Sequence, residues 1–162
     1  MHLVETTQTD TDPPSTQEPH GSVDRTVVRP WHDPALAAIG QDPRGEYLER
    51  FWLGVVGPSV VLLVRRFARG LAEHPHGFVV SLSDTARAIG LSGGTSRNSQ
   101  ISRTVERACM FRLLRRTAAD TIEVRTHVPL LTHRQLQRLP LAVRTSHQAW
   151  LEQTAAPGPP AA

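Results

Sequence analysis

Between Tyr47 and Leu71 the apolar side chains recur at helical spacing, and Gly57-Pro58 cuts the run in two. Tyr47, Leu48, Phe51, Trp52, Val55 and Val56 fall in pairs four residues apart, which puts all six on one helix face. Asp42-Pro43 ahead of them reads as an N-cap followed by proline at the first helical position. Gly57-Pro58 then ends or kinks the helix, because proline clashes with the preceding turn and lacks a donor. Val60, Leu63, Val64, Phe67 and Leu71 form a second stripe, with Arg65, Arg66 and Arg69 mostly opposite. Val61 and Leu62 widen the apolar surface beyond one face. That is expected of a helix packed on two sides, against the first helix or against a second subunit.

The most apolar stretch, residues 53–64, is interrupted by Gly57-Pro58 and bounded by Arg50 and Arg65. A membrane span needs roughly twenty apolar residues. The segment MHLVETTQTD has neither a basic nor an apolar leader region, so a cytoplasmic protein is expected. Cys109 is the one cysteine, which excludes an internal disulfide and a cysteine-rich zinc site. His74 and His76 lie in a Pro-Gly turn with no third ligand placed near them, so no metal and no cofactor is expected.

Beyond that turn the pattern changes. FVVSL, 78–82, is short and β-branched, as in a strand. Ser81-x-x-Asp84 forms a capping-box signature, with Ser83 as an alternative cap, for a short helix that Gly90 stops. Ile101, Val105, Ala108 and Cys109 mark a further helix. FRLLRRT (111–117) and TIEVRTHV (121–128) read as two strands around a short turn. Thr132 is a candidate N-cap, and Pro140 splits the C-terminal segment into two helical pieces. The second piece carries Val143, His147, Trp150 and Leu151, which either close the core against residues 47–56 or form a dimer contact.

Charge is unevenly distributed. Residues 1–43 carry seven acids and two arginines, whereas residues 44–153 carry sixteen arginines and eight acids. A basic domain favours polyanions, nucleic acid above all. The expected organisation is a disordered acidic tail over 1–41, a domain over 42–153, and a Pro-Ala tail over 154–162.

The segments SLSDTARAIGLS, RNSQISRTVERACMF and RLLRRTAADTIEVRTHV resemble, in that order, the first helix, recognition helix and wing of the winged helix-turn-helix DNA-binding family. The resemblance covers about residues 58–130. It implies a mainly α fold with a small β-hairpin wing and flanking helices. It also implies duplex DNA as partner, and transcriptional regulation as function. On this reading Asn98, Gln100 and Arg103 meet base edges, since Asn or Gln pairs with adenine and Arg with guanine. Arg97 and Ser99 meet phosphate, Ser102 lies on the same face, and Arg115, Arg116 and Arg125 of the wing approach the backbone or minor groove. Arg107 and Arg112 are read as merely solvating the domain. The connection from Leu91 to Arg97 is longer than the three or four residues common in a helix-turn-helix.

Enzyme signatures are missing. A phosphate-binding loop of the G-x-x-x-x-G-K-[ST] type needs a lysine, and the chain has none. The glycines do not match a dinucleotide fingerprint either. The remaining alternatives are a winged-helix module for protein contact, and a plasmid or replication initiator. A homodimer, or a protein partner reached through Trp31 or the C-terminal helix, fits either.

Overall fold

The computed structural model describes residues 24–155. Strand β1 (Arg25–Trp31) is followed by α1 (Pro34–Ala37), a π-helical turn (Leu48–Trp52) that runs into α2 (Leu53–Val56), and α3 (Pro58–Glu73). Then come β2 (Phe78–Ser81), α4 (Leu82–Ala88), α5 (Gln100–Met110), β3 (Leu114–Ala118), β4 (Thr121–Arg125), α6 (His133–Leu136) and α7 (Leu141–Ala155). The strands form one mixed sheet in the order β2-β1-β4-β3.

This corrects the expected fold. The strands are not a small hairpin wing on a mainly α domain. The β3–β4 hairpin is one half of a four-stranded sheet, because β1 inserts between it and β2. β1 pairs antiparallel with β2 and parallel with β4, so backbone groups on both its edges are hydrogen-bonded. The expected tail over 1–41 is corrected for residues 24–41, which include this inner strand. Residues 1–23 and 156–162 lie outside the described part. β1 holds its place by alternation: Thr26 and Val28 are buried, while Arg25 and Arg29 are exposed on the other face. Pro30, which has no N–H, pairs only with β4, beyond the end of β2.

The two apolar stripes build the core as read. Gly57, at φ 87°, terminates α2, with its N–H donating to the Leu53 carbonyl, and Pro58 opens α3. α3 buries Val60, Val61, Leu63, Val64, Phe67 and Leu71 against the sheet and α5. Asp42 does not cap a helix. Its carboxylate accepts the Arg44 N–H at 2.8 Å and closes a turn ahead of the π-helical segment.

The C-terminal helix closes the core. His147 and Trp150 of α7 meet the rings of Tyr47 and Phe51. The Tyr47 hydroxyl accepts the Leu131 N–H at 2.9 Å and lies 2.8 Å from His147 Nε2. Which of the two donates depends on the imidazole tautomer. Burial pushes Tyr47 up to about 12 and pulls the His147 pKa down, and both shifts favour this neutral pair.

Candidate nucleic-acid interface

The segment from Gly90 to Ser99 is tied down at several points. Gly90 ends α4 at φ 79°, and the Leu91 N–H returns to the Ala86 carbonyl at 2.9 Å. A Cβ at Gly93 would sit 2.8 Å from Arg87 Nη1, the far end of an exposed and flexible side chain. Ser99 caps α5 by accepting the Ser102 N–H at 3.2 Å. Its hydroxyl donates to Ser102 Oγ at 3.0 Å, and Ser102 Oγ donates to the Ser96 carbonyl at 2.9 Å. Gln100 Oε1 accepts the Ser92 N–H at 2.9 Å. The long connection is thus hydrogen-bonded to the helix it precedes. No phosphate is needed to order it.

These bonds divide the predicted contact residues. Ser99, Ser102 and Gln100 shape the turn and the helix start. Arg97, Asn98 and Arg103 are exposed, and their side chains make no hydrogen bond or ion pair among the described residues. Arg97 and Asn98 lie in the turn just ahead of α5 and Arg103 in its first turn; the helix itself is held through its opposite face, where Ile101, Thr104, Val105 and Ala108 are buried.

The hairpin arginines divide too. Arg116 pairs in register with the buried Ile122, so it lies on the side of the sheet that α5 packs against. Burial raises the pKa of Cys109 on that helix, and the nearby Arg116 opposes the rise. Arg115 and Arg125 lie on the other face. Arg115 pairs with Glu123 and stands 4.4 Å over the Trp31 ring. Arg125 is only 8% exposed and stands 3.8 Å over the same ring. It also donates to Asp33 and to the Arg112 carbonyl, each at 2.6 Å. Hydrogen bonding from Arg125 is the main reason that Asp33 is held below the usual carboxylate range. The structure therefore does not bring the three hairpin arginines together with α5: only Arg116 is on its side. Trp31 anchors β1 to the hairpin through these arginines.

Arg107 does more than solvate the domain. Its guanidinium donates to the carbonyls of Val56 and Val55 at 2.8 and 3.0 Å, closing the end of α2. Asp24 was not singled out from the sequence. Its carboxylate accepts the Ser83 N–H and the Ser81 hydroxyl, each at 2.8 Å, and these bonds lower its pKa. Ser81 itself caps α4, accepting the Asp84 N–H at 3.0 Å. Asp24 thus joins the start of β1 to the start of α4.

Among the described residues no three His, Cys, Asp or Glu side chains are grouped to hold a metal ion, and no helix is long and apolar enough to cross a membrane. No family model, no curated protein and no solved structure matches the chain.

Proposed function

We propose that this is a DNA-binding protein of the cytoplasm that reads duplex DNA with the first turns of α5 and regulates transcription. One observation carries the reading. Arg97, Asn98 and Arg103 are exposed and unengaged at the start of an amphipathic helix, in a chain whose other arginines are in several cases tied to the fold. An α-helix fits the major groove, where Asn pairs with adenine and Arg with guanine. The partial positive charge of the helix N-terminus adds attraction for phosphate. Arg116, on the same side of the sheet, extends the basic surface. Residues 44–153 carry sixteen arginines against eight acids, which supports a polyanionic partner.

Fluorescence anisotropy of labelled duplex DNA tests the reading. Binding at low salt should weaken steeply as salt rises, because arginines that meet phosphates release counterions. The absence of binding at low salt sinks it. Sedimentation of the complex then tells one copy per site from two.

A further inference from the structure

We propose that the groove between α3, β2 and α4 is the docking site of residues 1–23 of this same chain. The groove has a volume of about 870 Å³ and lies on the side of α3 that carries Leu62 and Arg66. Leu53 and Leu62 line it at 40% and 48% exposure, beside Val61 and Phe78. Leucines left this open beside a concave apolar surface mark a place where another segment sits.

Charge narrows the occupant. Glu49 is paired with Arg65, and Asp84 with Arg87. Arg66 and Arg69 make no ion pair or side-chain hydrogen bond among the described residues, and Glu73 is the acid of the lining in that same state. With Arg87 pairing Asp84 from outside the lining, one positive charge is left over beside the leucines. Residues 1–23 have the matching composition. They carry Glu5, Asp10, Asp12 and Glu18, no Arg or Lys, and the apolar pair Leu3-Val4.

Position narrows it further. The chain enters the described fold at Asp24, whose carboxylate is bonded to Ser81. Ser81 is itself part of the groove wall. The described fold therefore begins at the rim of the groove. A coil of twenty residues spans about 25 Å, and a sixteen-residue helix such as α3 is roughly 24 Å long. The segment is thus long enough to bring Leu3-Val4 to Leu62. Tethering gives an effective concentration in the millimolar range, so weak contacts suffice. The proposal is independent of DNA binding.

The test uses the full chain with a photo-reactive benzoylphenylalanine in place of Leu3. After irradiation, cross-linked peptides are mapped by mass spectrometry, in a mixture of isotopically heavy and light protein. The expected result is cross-linking from position 3 to residues 58–73 or 82–89 of the same molecule. Most of that yield should be lost with Leu62→Asp, and with Arg66→Glu plus Arg69→Glu, at unchanged melting temperature. Cross-links to α5 or to the hairpin overturn the proposal. So do heavy–light cross-links, which would assign the groove to a second copy, and so does the absence of any preferred target.

Discussion

Arg125 and Arg103 are both arginines of a basic chain, and the fold treats them in opposite ways. Arg125 is sealed between Trp31, Asp33 and the Arg112 carbonyl. Arg103 stands in solvent on α5 with no partner among the described residues. The first joins β1 to the hairpin, and its charge is neutralised inside the fold. The second contributes little to the fold and is available to a ligand. A count of arginines along the chain does not distinguish the two; the difference lies in which backbone carbonyls, acids and rings fall within reach.

The largest expected effect comes from the sealed side. Arg125→Ala should cost about 2–4 kcal/mol of stability, because it removes a buried side chain and its hydrogen bonds and leaves the Arg112 carbonyl unpaired. Chemical denaturation checks this, and a cost below 1 kcal/mol would show that the strand insertion does not depend on the contact. Arg103→Ala should do the reverse. Specific DNA binding should weaken by roughly 1–3 kcal/mol, with stability changed by no more than about 0.5 kcal/mol. A fall in melting temperature comparable to that of Arg125→Ala would erase the contrast between the two sites.

A third prediction concerns the buried pair at α7. Tyr47→Phe leaves the Leu131 N–H and His147 Nε2 without their partner and should cost about 1–3 kcal/mol. The same contact fixes a pH dependence. The His147 pKa is lowered in the folded state, so the unfolded chain binds the extra proton more readily. Stability should therefore hold above about pH 6.5, the ordinary histidine value, and decline as pH falls below it towards the folded pKa. His147→Gln should flatten that part of the stability-against-pH curve.

The smallest expected effect is a gain. Arg112 has φ 57° just past the end of α5, and the Leu113 N–H returns to the Ala108 carbonyl at 3.0 Å. Glycine is favoured at such a helix end, so Arg112→Gly should stabilise the protein by about 0.5–1 kcal/mol. Loss of stability there would mean that the Arg112 side chain has a fold-supporting contact of its own.

Much of the helical framework was legible. The paired apolar spacing in residues 47–71 and the Ser81 and Thr132 caps rest on local chemistry, and local chemistry is visible in order along the chain. β1 was missed because its neighbours in sequence are polar and proline-rich, while its partners lie some fifty and ninety-five residues away, as Val27 does from Val79 and Thr121. The run Thr26-Val27-Val28 between two arginines was the available signal. The division among the site residues was hidden for a related reason. Arg115 and Arg116 are adjacent in sequence, and strand alternation sends them to opposite faces. Which face meets α5 depends on how the sheet is assembled. Ser99, Ser102 and Gln100 looked like groove-reading residues because the same hydroxyls and amide that contact bases also cap helices and tie turns.

The central claim is that the unengaged Arg97 and Arg103, just before and within α5, carry the DNA contact, and not the arginines stacked on Trp31. Its most direct test is the salt dependence of duplex binding for three proteins: the unaltered chain, Arg97→Ala plus Arg103→Ala, and Arg115→Ala. Removing each phosphate-contacting arginine should lower the slope of log affinity against log salt by about 1. The account predicts a shallower slope and weaker binding for the α5 double variant, with the slope unchanged for Arg115→Ala. The opposite pattern, with the slope lost at Arg115 and kept in the α5 variant, would contradict it.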